Sequence, residues 1–469
     1  MNCSARPISM AKIRRMVEPV ARTYLIETFG CQMNSHDSER IAGLLEQAGY
    51  ARATDPSTAD VLVLNTCSIR ERAEDKLFSR LGEARTGRKN SSQLVAVTGC
   101  VAQQEGARLF ERAQNIDIVV GTQAMRSLPA LLQQAIAKGN PQVDVNPYDD
   151  VSFPLGLAVR NHPVKAYINI VEGCNDFCAF CVVPYTRGHE RMRPAAEIIE
   201  EVENAVATGR CEVHLLGQIV NHYKAPDVPD CDFSGLLERV QGVAGVERIR
   251  FSSPHPRHVT SRMINAIRDL PSVCQHLHLP VQSGSTSVLR AMRRRHSRSE
   301  YLELVGKIRA TIPSIALSTD IIVGFPGETD ADFEETLSLV QRTRYHSMFS
   351  FKYSERPSTL ASLRMPETVP EEEKTRRITT LQLLQRDIQL QLNERMVGRV
   401  ASVLADDISR RSSEELSGRT SGNTVVNFPG DRSWLGRFIN VKISKAGPHS
   451  LWGEPDQLSA GRMDLCKSK

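Results

Sequence analysis

Four short apolar runs open the readable part of the chain: TYLIETF at 23–29, DVLVLNT at 60–66, QLVAVTG at 93–99 and IDIVVGT at 116–122. Stretches of helical periodicity lie between them. In NSHDSERIAGLLEQAGY, Ile41, Leu44, Leu45 and Ala48 share one face, Asn34 and Ser35 offer caps, and Gly49 ends the run. SIRE at 68–71 reads as a capping box of Ser68 with Glu71. Apolar runs alternating with helices predict a parallel sheet with helices on both faces.

The pattern then breaks. Residues 140–163, NPQVDVNPYDDVSFPLGLAVRNHP, are rich in Pro, Asn and Asp and read as a linker. Six more strand-like runs follow: AYINIVE, EVHLLGQ, RIRFSSP, HLHLPVQ, LSTDIIVGF and SMFSFKY. Amphipathic stretches such as AAEIIEEVENAVATG separate most of them. Six βα units in one domain predict a partial barrel, open on one side.

PETVPEEEKTRRITTLQLLQRDIQLQLNERMVG (366–398) predicts a helix with Pro370 in its first turn and Glu371–Glu373 facing its dipole. Its stripe of Ile378, Leu381, Leu384, Ile388 and Leu392 is that of a packed structural helix. RVASVLA, NTVVNFP, GRFINVKIS and HSLWGE predict a small all-β barrel. The expected organisation is an extension (1–21), a parallel α/β sheet domain (22–140), a linker (141–163), a partial (β/α)6 barrel (164–394), the small barrel (395–460) and a tail (461–469).

Composition narrows the class. With 41% hydrophobic and 24% charged residues the chain is a globular one. No run of 18 apolar residues occurs, and the first 20 residues lack an apolar signal core, so no membrane partner and a cytoplasmic location are expected. Net charge is +5, and the stretch from Arg395 onward holds 12 Lys/Arg against 8 Asp/Glu. The all-β end therefore carries most of the excess charge, which permits an acidic partner. Eleven cysteines without an export signal point to ligands, catalysts or core thiols rather than disulfides.

Two groups of cysteines carry the chemistry. Cys174, Cys178 and Cys181 follow the first strand of the barrel segment, in the loop where barrel active sites are built. Three thiolates on one loop can hold three irons of a 4Fe-4S cubane and leave the fourth open. Zinc with a remote fourth ligand, or a redox pair beside a bystander, are the alternatives; the place in the first barrel loop favours the open cluster. Cys31, Cys67 and Cys100 each end a predicted parallel strand and precede a predicted helix. Strand carboxyl ends share one edge of an open sheet, so these three should meet in one crevice, where helix N-termini favour thiolates. A second three-cysteine cluster is the reading. Cys3, Cys211, Cys231, Cys274 and Cys466 read as core or surface thiols.

The motifs TFGCQMNSHDSE, NTCSIRERA, EGCNDFCAFCVVPYTRG, HLPVQSGS, STDIIVGFPGET and ELSGRTSGNTVVNFPG together resemble the methylthiotransferase family of radical S-adenosylmethionine (SAM) enzymes, over nearly all of 23–455. Within it the likeness is greatest to the type that makes 2-methylthio-N6-isopentenyladenosine in tRNA. The resemblance implies a radical SAM core and a C-terminal TRAM barrel. It implies two 4Fe-4S clusters and SAM, with SAM bound on the barrel cluster and cleaved to a radical that takes hydrogen from carbon 2 of the adenine. The other cluster supplies sulfur, which a second SAM methylates. The substrate implied is tRNA carrying isopentenyladenosine at position 37, beside the anticodon.

A reducing electron donor, iron–sulfur and sulfur delivery proteins, and a monomeric state complete the expectation. By strand position, Gly217 and Gln218 would meet the SAM amino end, Gln282 and Ser283 the ribose, and Ile322 and Gly324 the adenine. No catalytic residue beyond the cluster ligands is assigned. Arg419, Arg432, Arg437, Lys442, Lys445 and Phe428 are candidates for RNA contact. A sister enzyme acting on threonylcarbamoyl-adenosine tRNA or a ribosomal protein is a rival reading. So is a non-catalytic RNA-binding protein with metal sites, though the missing fourth cysteine of both triads speaks against it. The chain departs from the family pattern at Ile219, usually Asn, at Ala179, commonly Thr, and at Ser358 and Leu360 of RPSTLAS, where Gly and Pro are typical.

Overall fold

The computed structural model describes residues 22–68, 71–86, 92–146 and 158–456. The predicted extension, the SIRE capping box, Cys3 and Cys466 fall on or reach into residues outside that set. The first sheet is wholly parallel. Its strands are β1 (Thr23–Phe29), β2 (Ala51–Arg52), β3 (Val61–Thr66), β4 (Leu94–Gly99), β5 (Ile118–Val120) and β6 (Gln142–Asp144), in the order β2-β1-β3-β4-β5-β6. Alternation within β3 explains the two-sided core. Val61 and Val63 pack on one face with Tyr24, Ile41 and Leu45, while Leu62 and Leu64 pack on the other with Leu77, Val95 and Val97. Strand β6 corrects the reading of 140–163 as linker throughout. Both β2 and β6 are edge strands of two or three residues, too short for a pattern to register.

Helix α1 (Gln32–Gln47) starts at least three residues earlier than expected, with Cys31 rather than Asn34 or Ser35 as its cap. Asn34 supports that cap: its Oδ1 lies 3.4 Å from the Cys31 backbone N and 3.3 Å from Sγ. The stripe residues Ile41 and Leu45 are buried, but so is the run His36-Asp37-Ser38-Glu39-Arg40. That charged face is covered because α1 packs on the first barrel strand, where Arg160 lies 2.7 Å from Glu201 and 3.7 Å from Glu39.

Burial pulls the His36 imidazole down to about 4. Its folded value lies below the unfolded 6.5, so between those values the unfolded chain binds more protons and stability falls as pH drops from about 6.5 towards 4. In urea titrations at pH 5 and pH 7, His36→Gln is expected to shrink the difference in midpoint between the two conditions. An unchanged difference would count against a neutral buried imidazole.

The central barrel is built from β7 (Lys165–Asn169), a small antiparallel pair β8 (Val171–Glu172) and β9 (Arg191–Met192), then β10 (Glu212–Leu216), β11 (Arg248–Phe251), β12 (His276–His278), β13 (Ala316–Val323) and β14 (Ser347–Lys352). Strands β7, β10 and β11 form one parallel half, and β12, β13 and β14 the other. A single bridge, Ile249 to Val273, joins the halves. Outward side chains such as Ala166, Val213, Ile249, Leu277 and Leu317 form the core under the surrounding helices. The inward positions are polar: Tyr167, His214, Arg250, His278, Ser318 and Asp320. Such an interior encloses a chamber rather than a packed core.

The long helix Glu371–Glu394 closes onto β14 and buries Leu381 and Ile388. It begins at Glu371, five residues after the predicted start, with Pro370 as cap rather than in the first turn. Beyond it, β15 (Val400–Ile408), β16 (Glu415–Arg419), β17 (Val425–Pro429), β18 (Phe438–Ala446) and β19 (Leu451–Pro455) make a closed barrel in the order β15-β16-β17-β19-β18. The hairpin between β16 and β17 reaches the N-terminal ends of the central strands. Arg248 donates to the Arg419 carbonyl at 2.7 Å, Arg250 to the Thr420 carbonyl at 2.8 Å, and the Gln275 N–H to Ser421 Oγ at 2.9 Å.

Ser358 sits at φ +68, in the left-handed region where glycine is at ease. This gives a physical reason for glycine at that place in the family pattern. Ser358→Gly is expected to raise stability by up to about 1 kcal/mol, part of the left-handed strain being offset by the freer unfolded chain. Thermal melts of the two proteins measure it; a lower melting temperature would contradict the strain.

Candidate active site

Both cysteine triads line one cavity of about 780 Å³. Cys31, Cys67 and Cys100 follow β1, β3 and β4, which are neighbours in the sheet, so their thiols meet at its carboxyl edge. Gly30 lets β1 end against Cys67: a Cβ there would lie 2.6 Å from the Cys67 Cβ. Across the cavity, Cys174, Cys178 and Cys181 stand on the loop after β8, at the carboxyl ends of the barrel strands. The loop is pinned from below. Gly173 N donates to Gln218 Oε1 at 2.5 Å, and Arg294 Nη1 lies 3.6 Å from Cys178 Sγ. Arg294 is buried between Arg293 and Arg295, both in the left-handed region, a strained turn that aims it inward.

A hydrogen bond from Cys67 pulls the Cys31 thiol down to about 6, against desolvation. Burial pushes Cys174 up to about 11 and Cys181 up to about 12, and it raises Cys100 despite the nearby Arg187. The expectation that helix N-termini favour thiolates thus needs correcting at Cys100, which opens α3 (Cys100–Glu105) but is fully desolvated there. A thiophilic group must therefore displace protons when it binds.

All six thiols are free, and thiolates are the donors iron–sulfur groups take. No three His, Cys, Asp or Glu side chains of the described residues are gathered closely enough to hold a single metal ion. Thiolate sulfur is the donor an iron–sulfur cubane takes, one per iron, so the donor chemistry of each triad fits such a cluster. Cys211, Cys231 and Cys274 are packed away in the core.

Of the positions assigned to SAM, Gly217, Gln218 and Gln282 line the cavity. Ser283 is buried behind it, with its hydroxyl facing Thr336. Ile322 packs with Phe325 and Tyr353, and Gly324 N donates to Glu328 at 2.6 Å; neither is on the cavity wall. Ile219 lines the cavity and Ala179 is fully buried beside it. Phe428 is in the centre of the small barrel and cannot stack on a base, which corrects its reading as an RNA contact. Arg419 faces the cavity, while Arg432, Lys442 and Lys445 lie on the outer surface and Arg437 is half-buried.

Sequence reasoning missed Phe349 and Phe351 on the open edge strand β14. Both line the cavity, and Phe349 remains 52% exposed. Their inward parity with Ser347 was the available signal. It also missed Arg187 and Arg294, for which local sequence offered none.

Three family models match the chain: the uncharacterized protein family UPF0004 over residues 23–121, the radical SAM superfamily over 168–340 and the TRAM domain over 394–455. Proteins named tRNA-2-methylthio-N(6)-dimethylallyladenosine synthase are similar over almost the whole length. That of Halorhodospira halophila is 45% identical across 94% of each chain. Those of Caldicellulosiruptor saccharolyticus and Solibacter usitatus are 44% and 43% identical across 92% of this chain and 92% and 98% of theirs. Among solved structures, a radical S-adenosylmethionine methyltransferase from Kitasatospora setae with cobalamin and a 4Fe-4S cluster bound superposes with a TM-score of 0.54. At 13% identity, over 81% of this chain and 77% of that one, this is a likeness of fold.

Proposed function

The chain belongs to the tRNA-2-methylthio-N(6)-dimethylallyladenosine synthase family, and on that premise we propose that it converts N6-isopentenyladenosine at tRNA position 37 to the 2-methylthio derivative in the cavity between its two triads. It is a tRNA methylthiotransferase of the radical SAM class, which implies a 4Fe-4S cluster and SAM. The observation that carries the reading is that two three-cysteine sets, each short of a fourth ligand, open on one chamber.

Cys174, Cys178 and Cys181 would hold the cluster that binds SAM. Cys31, Cys67 and Cys100 would hold a second 4Fe-4S cluster. Bound there, these groups supply hydrogen abstraction from an unreactive aromatic C–H and the sulfur for the new C–S bond. The chain's own residues position and enclose. Gln218 ties the cysteine loop to the end of β10, and Gly217 leaves room there, since a Cβ would stand 3.0 Å from Val171 Cβ. The β16–β17 hairpin closes the floor of the barrel.

Phe349 and Phe351 on the open side offer apolar cover to a prenylated base. Arg432, Arg437, Lys442 and Lys445 would meet tRNA phosphates. Ser283, Ile322 and Gly324 stand off the cavity wall, so direct SAM contact falls to Gly217, Gln218 and Gln282. A reducing donor and sulfur-delivery proteins are the further partners, with a monomer in the cytoplasm as the working state. No helix of the described residues is long and apolar enough to cross a membrane.

Mass spectrometry of tRNA nucleosides from a strain lacking the gene tests the substrate. The expected result is loss of the 2-methylthio nucleoside with accumulation of N6-isopentenyladenosine. An unchanged profile, or loss of the methylthio form of threonylcarbamoyl-adenosine, would overturn the proposal.

A further inference from the structure

The cysteine loop has an outer side that the cavity does not use. With α2 (Glu71–Thr86), α4 (Arg108–Arg112) and α5 (Leu128–Lys138) in the N-terminal domain, α6 (Val183–Arg187) is the first helix of the barrel and follows directly on that loop. The loop lies against residues 292–295. Ala179 N donates to the Met292 carbonyl at 3.0 Å, Arg294 Nη1 stands 3.6 Å from Cys178 Sγ, and Arg295 Nη1 lies 4.0 Å from Asp176 Oδ1. Among these contacts Phe177 holds φ +45, a left-handed conformation that a bulky residue rarely enters. Its neighbours Asp176 and Cys178 line the cavity, and Phe177 does not. It is 38% exposed, Tyr185 of α6 is 47% exposed, and their rings meet edge to face at 6.2 Å. The strain therefore presents an aromatic ring to solvent beside a cluster ligand.

Arginines stand next to it. Arg290, on the short helix Thr286–Ala291, lines an open hollow of about 480 Å³ with Arg293, Arg295 and His296. These three arginines are exposed and off the cavity wall, while Arg294 among them is buried and on it. The turn thus sends one guanidinium to Cys178 and its neighbours to solvent. Arg290 and Arg293 have no ion pair among the described residues. Glu300 also lines the hollow, but its Oε2 is engaged in capping the helix Arg298–Thr311, accepting from Ser297 N at 2.7 Å. Against four guanidiniums stand the carboxylates of Glu300 and Asp176, so the surface stays positive.

Unpaired arginines beside exposed aromatic rings have the composition of a protein-docking surface. Redox partners meet over small, transient interfaces, for which a patch of this kind suffices. We propose that an acidic protein carrying a low-potential one-electron centre docks on Arg290, Arg293, Arg295 and the Phe177–Tyr185 pair, and reduces the barrel cluster across the loop that holds Cys178. One electron leaves the donor, which is oxidised by one, and the cluster gains it; no atom or proton is transferred. This rests on the assignment of a cluster to Cys174, Cys178 and Cys181. RNA is anionic too, but its adenine must enter the cavity, and these arginines are off the cavity wall. An electron needs closeness to a cluster ligand, which this surface has.

The test uses the reconstituted full-length enzyme and, as probe, a flavodoxin, an acidic flavin protein, reduced to its hydroquinone. Stopped-flow absorbance reads cluster reduction in wild type, in Arg290→Gln and in the triple variant Arg290→Gln, Arg293→Gln, Arg295→Gln. A repeat in the background Cys31→Ala, Cys67→Ala, Cys100→Ala leaves the barrel cluster as the reporter. Photoreduction with neutral 5-deazariboflavin, which needs no docking, reads whether that cluster is intact. At low ionic strength the second-order rate with flavodoxin falls about tenfold in the triple variant and about twofold in Arg290→Gln. Added salt slows the wild type and narrows the difference. Reduction by deazariboflavin and affinity for tRNA stay as in wild type. Unchanged flavodoxin rates overturn the proposal. A fall in tRNA affinity as large as the fall in rate gives the patch to RNA and overturns it as well. Should the triple variant lose its cluster, Arg290→Gln, outside the turn, decides by the same criteria. Unchanged iron content in Cys178→Ala would instead remove the cluster assignment beneath the proposal.

Discussion

Replacing Cys31, Cys67 or Cys100 by Ala is expected to abolish methylthio product while SAM cleavage continues; replacing Cys174, Cys178 or Cys181 stops both. The asymmetry follows from where the thiols stand. The barrel triad sits at the carboxyl ends of the barrel strands beside Gly217, Gln218 and Gln282, the cavity-lining positions available to SAM. The N-terminal triad sits on another sheet, across the cavity, and holds none of that loop. A cubane with two thiolates instead of three is poorly held, so each substitution should lower iron from about eight to about four per chain. Anaerobic iron analysis, 5′-deoxyadenosine release and product measurement separate the cases. Continued SAM cleavage in Cys178→Ala would refute the barrel assignment. Loss of SAM cleavage in Cys67→Ala, with its folded structure intact, would refute the division of labour.

Gly173→Ala should come next in severity. Gly173 is at φ +82, one residue before the first barrel cysteine. A Cβ there would stand 2.5 Å from the His189 carbonyl carbon and 2.6 Å from the Gly188 oxygen. Both are backbone atoms of the segment that follows α6, so no side-chain rotation relieves the contact. Left-handed strain and overpacking together should cost about 3 kcal/mol. The chain can escape only by moving the cysteine loop, which breaks the Gly173–Gln218 hydrogen bond. The variant is expected to melt lower and to bind about half the iron of the wild type. Normal iron content with normal stability would show that the loop does not depend on this close approach.

Much of this was legible in the chain. The four long apolar runs of the first sheet became β1, β3, β4 and β5, and the six barrel runs became β7 and β10–β14, because buried parallel strands need continuous apolar stretches. The convergence of Cys31, Cys67 and Cys100 followed from strand polarity alone. What could not be read is tertiary. The short strands β2 and β6 gain their structure from a neighbour's edge. The charged face of α1 looks like a solvated surface until β7 and Arg160 cover it. Phe428 was assigned outward because strand parity in a small barrel is lost without its register. Burial at Cys100 outweighed its helix terminus, which no local pattern reports. Arg187 and Arg294 become significant only through partners 150 and 116 residues away.

The hairpin of the small barrel has a consequence for how this protein is dissected. Arg248 and Arg250 grip its carbonyls from the underside of the central strands, and Arg419 and Asn423 form part of the chamber wall. Cutting the chain at residue 395 therefore does not yield a catalyst that merely binds RNA poorly. It strips Arg248 and Arg250 of the carbonyls they grip, leaving them Glu212 alone, and it leaves a reaction vessel without a base. Affinity and chemistry share one structural part, so truncation cannot tell them apart; only point changes on the outer face of that barrel can.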